Sequence, residues 1–432
     1  MLLVTQQIAT VSPTPADLPT PTVVFVNRFF FPDESATSRV LTDMATALAA
    51  RRLEVHVVCS RQRHDDPSVA LAPEDRADGV SVHRIATTRF GRRRIVGRAA
   101  DYLTFYAAAT FRLLRLLRSG DVLIVKTDPP LMSLPAVLIA ALTGAALVTW
   151  QQDVFPEVAS RLGTGILPRW LASMLVGLRN ASLRRAAMNV AIGSRMREFL
   201  ISNGIADSRV RLIENCVDTD AIQPKAVCDS RLRRRIGVED RFVVCYSGNL
   251  GRAHEFDTLL DAARELAPDP GFVFLIIGGG AKLAALKRAV TDAGLLSFRF
   301  LPYQPREDLA DCLAAGDVHL VSLLPAMEGL IVPSKLYGIL AAGRPVLFIG
   351  DQDGEVGRTI GAAACGLSVD VGDSAGLVRS LRTFRDDAAM RDIMGLRARQ
   401  LACASYGLPG AVDRWLDVLM SCAVTRLQQN RT

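Results

Sequence analysis

The chain has 432 residues, half of them hydrophobic and 22% charged, with 32 Gly, 21 Pro and a formal net charge of +7. That is too long for one ordinary core, so two domains of about 200 residues are expected; the apolar fraction excludes intrinsic disorder, and the unbiased Gly and Pro counts exclude a fibrous protein. Eight scattered Cys without a C-x-x-C pair exclude a disulfide framework and a zinc knuckle and fit a reducing cytoplasm.

Residues 1–20 lack a basic n-region and a continuous apolar stretch, so they read as a flexible Thr/Pro-rich leader rather than a signal peptide. Apolar runs at Thr22–Val26, Glu54–Cys59, Asp121–Val125, Ala146–Trp150 and Asn189–Ile192 predict strands, with amphipathic helices such as Ser35–Arg51 and Arg98–Arg118 between them. Leu131–Trp150 is uncharged and long enough to span a membrane, but Pro135 and the Thr143-Gly144 break make it a buried helix, a turn and a buried strand. The alternation resumes after position 240 with Phe242–Tyr246, Val273–Ile277, Val318–Ser322 and Val346–Ile349. Repeated strand–helix alternation means parallel sheets, so the fold class is α/β, with two Rossmann-like doubly wound domains facing a cleft. The expected division is 21–214 for the N-terminal domain, 215–240 for an irregular linker containing Pro224 and four Arg, and 241–408 for the C-terminal domain. The tail, 409–432, holds a last helix near Gly410–Leu427 that fits either half.

The positive charge is concentrated. Between Arg84 and Arg118 nine Arg stand against Asp101 alone, a local balance of +8, and Val158–Arg185 adds five Arg without an acid. A polyanionic partner for this half is one reading; solvated faces in an Arg-rich chain are the other, since only five of the 51 basic residues are Lys.

The phosphate-binding signals lie in the C-terminal half. The strand Phe242–Tyr246 runs into Ser247-Gly248-Asn249-Leu250-Gly251-Arg252 ahead of a helix, and Gly278-Gly279-Gly280 follows the next strand in the same way. Glycines at such junctions let backbone N–H groups approach an anion, and two turns on one cleft favour a nucleotide over a mere tight turn. Further on, Pro333 suits the first turn of a helix that Gly343 stops, which sets Ser334 and Lys335 at its N-terminus. A Lys is unfavourable to the dipole there, and neutralising a diphosphate supplies a reason for it.

The frame E-G-x-x-x-P-S-K-L-Y-G-x-L-A-A-G-R-P-V, residues 328–346, resembles the donor-site signature of retaining GT-B glycosyltransferases of family 4, in the branch that builds bacterial surface polysaccharides. Phe29–Arg39, Gln152-Asp153-Val154-Phe155-Pro156-Glu157, Asn215-Cys216-Val217-Asp218 and Tyr246–Arg252 are similar to the same branch, in the right order. The resemblance implies a nucleotide-sugar donor, UDP-linked, and no cofactor or metal. Gly248, Asn249, Gly251, Arg252, Gly279, Pro333 and Ser334 are implied around the diphosphate, with Pro302 and Tyr303 flanking the base. Lys335, Glu328 and Asp153 are the implied catalytic set: Lys335 on the leaving phosphate, Glu328 on donor-sugar hydroxyls, Asp153 at the reacting centre. Glu34 and Arg39 are candidates on the acceptor side.

The sequence also departs from that pattern. A Glu common five residues before the glycine of Ala-Ala-Gly is here Gly338; the usual Arg and Lys of the glycine turn fall on Asn249 and His254; and paired glycines after the first strand are replaced by Glu34-Ser35-Ala36. Arg252 and Lys335 are the substitutes available for the missing cations. Family acceptors are often lipid-linked saccharides. Arg98–Arg118, with Tyr102, Phe105, Tyr106, Ala109, Leu113, Leu116 and Leu117, and Leu167–Arg185, with Trp170, Leu171, Met174, Leu175 and Leu178, have the composition of helices lying on an anionic membrane surface, or equally of core helices with an Arg face. The expectation is a cytoplasmic enzyme held peripherally at the inner face of the plasma membrane. The basic runs carry no nucleic-acid motif, which argues against a nucleic-acid partner. A UDP-sugar 2-epimerase and a catalytically impaired scaffold that binds a nucleotide-sugar or a partner transferase are the rival readings.

Overall fold

The computed structural model describes residues 21–33, 35–64, 66, 69–90, 95–163 and 168–429; the leader and Glu34 lie outside the described residues. The first eight strands are β1 (Val23–Val26), β2 (Val55–Ser60), β3 (Glu74–Ala77), β4 (Val80–Ile85), β5 (Val122–Lys126), β6 (Ala146–Gln151), β7 (Met188–Ala191) and β8 (Val210–Leu212). They form one sheet in the order β3-β4-β2-β1-β5-β6-β7-β8, parallel except for the β3–β4 hairpin. That hairpin turns at Asp78-Gly79, both with positive φ (46° and 85°), the backbone shape a two-residue hairpin loop needs. The second sheet holds β9 (Phe242–Ser247), β10 (Phe272–Ile277), β11 (Phe298–Leu301), β12 (Val318–Ser322), β13 (Val346–Ile349) and β14 (Gly366–Val369), in the order β11-β10-β9-β12-β13-β14 and all parallel. Both strand orders reverse beside the first strand of the sheet, at β1 and at β9, and crevices open there at the strands' carboxyl ends.

Helices pack on both faces of each sheet. In the first half they are α1 (Ala36–Ala50), α2 (Ile95–Leu116), α3 (Ser133–Thr143), α4 (Glu157–Arg161), α5 (Arg169–Arg185) and α6 (Ser194–Ser202). The second half adds α7 (Arg231–Ile236), α8 (Asp257–Glu265), α9 (Leu283–Asp292), α10 (Leu309–Ala314), α11 (Lys335–Ala341), α12 (Glu355–Ala362), α13 (Ser374–Asp386), α14 (Ala388–Leu401) and α15 (Leu408–Gln429). The uncharged stretch from Leu131 is α3, a left-handed Gly144 (φ 76°) and the buried β6, as its Thr-Gly break predicts. No helix among the described residues is long and apolar enough to cross a membrane.

Every residue of β1, β5, β6 and β7 is buried, because helices cover the sheet on both sides. Leu41, Met44 and Leu48 of α1 and Met196 and Leu200 of α6 share one core with Val23, Phe25 and Trp150. α15 returns from the second half to join that core, setting Trp415 at 4.9 Å from Trp150 and 6.5 Å from Phe25, ring centre to ring centre. The opposite face is covered by α2 and α3, through Phe105, Ala109, Leu113, Ala136 and Ile139. In α2 the stripe Phe105–Ala109–Leu113, continued by Leu117 just past the helix, is therefore the core face, not a membrane face. Its outward apolar residues are others: Val96, Leu103, Phe111 and Leu114. α5 packs beside α3 and leaves Trp170, Met174 and Leu178 exposed.

Candidate active site

The two glycine turns of the second sheet are stacked on each other. Gly248 (φ 134°) follows β9 and Gly278 (φ 134°) follows β10, and a Cβ built on Gly278 would lie 2.1 Å from the Gly248 carbonyl oxygen. No other residue fits there. Gly280 (φ 136°) is held as tightly, under Asn249 Oδ1 and the Leu250 carbonyl, and Leu250 N–H donates to Gly279 O at 2.7 Å. Tyr303 covers this pair from β11: its ring lies 3.2 Å from where a Gly279 Cβ would stand, and it is 56% exposed, a free aromatic face at the mouth. Pro302 beside it, Arg252 and Asn249 are likewise exposed.

Lys335 points into this turn. α11 begins at Lys335, with Ser334 as the preceding cap residue and Pro333 one position further out, so the proline lies just before the helix rather than in its first turn. The Lys335 Cε lies 3.4 Å from a Cβ built on Gly248, and its Nζ is 3.5 Å from the centroid of the Tyr246 ring. That Nζ is buried and has no hydrogen-bond partner. Burial alone pushes the amine well below its ordinary pKa. A cation–π contact offsets part of the cost of burying an ammonium, and the remainder calls for an anion. His254 does not supply one. Its Nδ1 pairs with Ser322 O at 2.5 Å, and burial next to Lys335 and Lys282 depresses it to about 3, so the ring is neutral. Lys282, which the sequence reading passed over, donates from Nζ to His254 O at 2.5 Å, adding a second ammonium beside the turn.

Glu328 sits between the domains. Its Oε2 accepts from Glu355 N–H at 3.0 Å, while Oε1 is buried without a partner. Burial, with help from Asp351 and Glu355, raises it to about 7 against the pull of the Glu355 N–H and Arg195. A carboxylate with one oxygen fixed and one unused suits a sugar hydroxyl. Position 338 has room for a longer side chain, since a Cβ there meets only Leu313 Cδ1 at 3.8 Å. Its glycine is not required by packing.

Across the cleft, Asp153 follows β6 and pairs with Ile331 through a two-stranded bridge, next to Val154 N–H donating to Leu330 O at 3.0 Å. The residue is exposed at the cleft edge, but the cleft walls desolvate its carboxyl, and that burial, with Asp128, raises it to about 6 against Lys126. Lys126 and Asp128, at the end of β5, went unnoticed in the sequence. Lys126 Nζ donates to Thr37 O at 2.9 Å and lies 4.2 Å over the Trp150 ring, and burial lowers it to about 7. Arg39 of α1 lies near enough to Tyr303 for its charge to act on the phenol. Four histidines outside the turn keep local partners: His56 with His83 at 2.9 Å, His319 with Leu313 O at 2.8 Å, and His64 edge-on to Phe29.

Two family models divide the chain at the cleft: Glycosyltransferase Family 4 matches residues 37–221 and Glycosyl transferases group 1 matches 230–401. The chain belongs to the glycosyltransferases, with a family 4 domain followed by a group 1 domain. A putative colanic acid biosynthesis glycosyl transferase of Escherichia coli, WcaI, is 29% identical over 262 residues, which cover 59% of this chain and 64% of that protein, somewhat under two thirds of its length. The probable glycosyltransferase WbjE of Pseudomonas aeruginosa is 26% identical, covering 67% of this chain and 72% of its own. Among solved structures, Anabaena HepE in complex with UDP superposes with a TM-score of 0.68 at 15% identity, over 93% of this chain and 100% of that one. WaaG, a glycosyltransferase involved in lipopolysaccharide biosynthesis, gives 0.66 at 18% identity, over 90% and 98%. These likenesses fix the GT-B fold.

Proposed function

We propose that this GT-B protein transfers a hexosyl or N-acetylhexosaminyl unit, with retention of configuration, from a UDP-sugar to a lipid-linked saccharide during exopolysaccharide or O-antigen synthesis. The observation that carries the reading is the buried, unpartnered Lys335 Nζ aimed at the stacked glycine turns. As the bond between the sugar C1 and the diphosphate oxygen breaks, negative charge grows on the phosphate. A fixed cation at that point stabilises the transition state more than the ground state. Lys335 takes this role, with Lys282 beside it, and the reading needs neither a metal nor a cofactor. Glu328 Oε1 accepts from a donor-sugar hydroxyl, and Asp153 steadies the positive charge that develops at C1. The acceptor hydroxyl attacks from the face the diphosphate leaves, and its proton passes to the departing phosphate oxygen, so no separate base is assigned.

The acceptor class is supported by the outer surface of the first half. Val96, Leu103, Phe111 and Leu114 of α2, Leu138 and Leu142 of α3, and Trp170, Met174 and Leu178 of α5 are exposed on helices packed side by side. Arg115 lies 3.7 Å over the Phe111 ring, and Arg169, Arg184 and Arg185 bracket α5. Apolar side chains with arginines at their margins suit an anionic, cytoplasmic leaflet, and peripheral attachment there brings the cleft to a lipid-linked acceptor. The test is incubation with a panel of UDP-sugars and vesicles carrying polyprenyl-diphosphate-linked saccharides. Acceptor-dependent UDP release, with an axial donor anomer kept axial in the product by NMR, is expected. Nucleotide-sugar binding with no turnover on any acceptor would favour the scaffold reading.

A further inference from the structure

The donor-sugar carboxylate and the opposite domain meet at a single residue. Glu355 opens α12 in the second half. Its backbone N–H donates to Glu328 Oε2 at 3.0 Å, and its own Oε2 accepts from Ser194 Oγ and from Arg195 N–H, both at 2.9 Å. Ser194 and Arg195 are the first two residues of α6, in the first half, so the Glu355 carboxylate lies at the N-terminus of a nine-residue helix of the other domain. A negative charge is favourable to the helix dipole there and satisfies N–H groups that the helix itself leaves unpaired.

The surrounding backbone is shaped to that contact. A Cβ on Gly193 would lie 3.0 Å from Glu355 Cδ and Oε2, and a Cβ on Gly354 would lie 2.3 Å from Glu328 Oε1. Gly329 (φ 73°), next to Glu328, brings its own backbone against the Arg195 carbonyl, 3.1 Å from a Cβ placed there. Arg195 reaches back with Nη2 and Nε to Asp353 O at 2.8 and 3.2 Å. Three glycines on two domains thus leave space for two carboxylates and one helix end to come together.

We propose that Glu355 is a positioning residue that couples the seating of Glu328 to closure of the two domains, a role that rests on the donor-site assignment above. With the domains together, α6 neutralises the Glu355 carboxylate and the Glu355 N–H holds Glu328 with one oxygen turned to the donor. With the domains apart, the Glu355 charge loses three partners' worth of compensation from α6 (Ser194 Oγ, Arg195 N–H and the dipole) and stands free beside Glu328. Like charges at that range favour the protonated form of Glu328, which accepts a sugar hydroxyl poorly. Donor recognition and domain closure are then one event rather than two.

The experiment compares wild type with Glu355→Ala, Glu355→Gln and Ser194→Ala. Four readouts are used: UDP affinity by calorimetry, kcat and KM for the UDP-sugar, the radius of gyration by solution scattering, and the thermal midpoint. Glu355→Ala removes the link while keeping the backbone N–H. It is expected to bind UDP within about twofold of wild type, to lose kcat by about tenfold or more, and to scatter as a more extended particle. Glu355→Gln still accepts from Ser194 and Arg195 and is expected within about threefold of wild type, with the compact scattering restored. Ser194→Ala should fall between. The coupling is overturned if Glu355→Ala keeps wild-type kcat and dimensions, or if Ala and Gln lose UDP affinity and thermal stability in parallel, as a purely structural residue would. If wild type itself binds no UDP, the donor-site assignment fails; the scattering of Glu355→Ala against wild type still decides whether Glu355 holds the domains together.

Discussion

The two sides of the cleft are built on a similar α/β plan and differ in how their buried cations are compensated. On the C-terminal side, Lys335 lies in a glycine-walled turn with no carboxylate bonded to it, and Lys282 adds a second ammonium nearby. On the N-terminal side the two buried cations each face a carboxylate. Lys126 is opposed by Asp128 and Asp153, and the buried Arg28 stands 3.8 Å from Asp101. A site with surplus buried positive charge is stabilised by a polyanion; a site whose charges cancel is suited to a neutral hydroxyl. The asymmetry supports the proposal of a diphosphate on the C-terminal side and an acceptor hydroxyl on the N-terminal side.

The sharpest way to break this comparison is to remove the surplus charge. Lys335→Ala is expected to lower turnover by roughly 100- to 1,000-fold, the cost typical of losing one fixed transition-state contact. Its thermal midpoint should hold or rise, because a buried, unpartnered amine is lost with it. A parallel loss of Tm and activity would mean that the lysine is structural. On the balanced side, Lys126→Met should leave UDP affinity unchanged while reducing turnover by about tenfold, since Asp153 then loses the charge that keeps it ionised. The pH profile of turnover should shift upward in that variant.

Glu328 gives a smaller effect with a distinctive sign. Folding raises its pKa to about 7, so the wild-type rate should climb as pH rises through that value and the carboxylate forms. Stability should move the other way: a carboxyl with a raised folded pKa favours the folded state at low pH, and that contribution is lost as pH rises through about 7. Glu328→Gln should abolish both limbs, which differential scanning calorimetry and a rate profile read independently. The smallest effect is expected outside the cleft, where Trp170→Ser should weaken partitioning to anionic vesicles by about tenfold without changing UDP affinity. Equal partitioning by the variant would remove α5 from the membrane reading.

Much of this was legible from the chain alone. Nine buried strands were readable as apolar runs because a parallel sheet covered on both faces needs continuous Val, Ile and Leu. The stacked glycine turns and the helix start at Lys335 were readable because both are local features. The β3–β4 hairpin was missed although Asp78-Gly79 is a direct hairpin signal; its first strand, Glu74–Ala77, carries too many exposed polar residues to show an apolar pattern. Lys126 and Glu355 were missed for a different reason. Each acts through a partner distant in sequence, Thr37 for one and Ser194 for the other, and no local spacing announces such a contact. In α2 the helical stripe was found but its direction was not, because a stripe reads the same whether it faces a core or a membrane until its neighbours are known.

The central claim is that a diphosphate completes the Lys335 site, and proton-linked calorimetry addresses it directly. UDP, GDP, ADP and dTDP are titrated into wild type and Lys335→Ala in buffers of different ionisation enthalpy. UDP is expected to bind wild type with net proton uptake in the pH window between the amine's burial-lowered pKa and its higher value beside the anion, and Lys335→Ala is expected to lose both the affinity and the uptake. Binding of equal strength in the variant, or no binding of any of the four nucleotides at millimolar concentration, would contradict it.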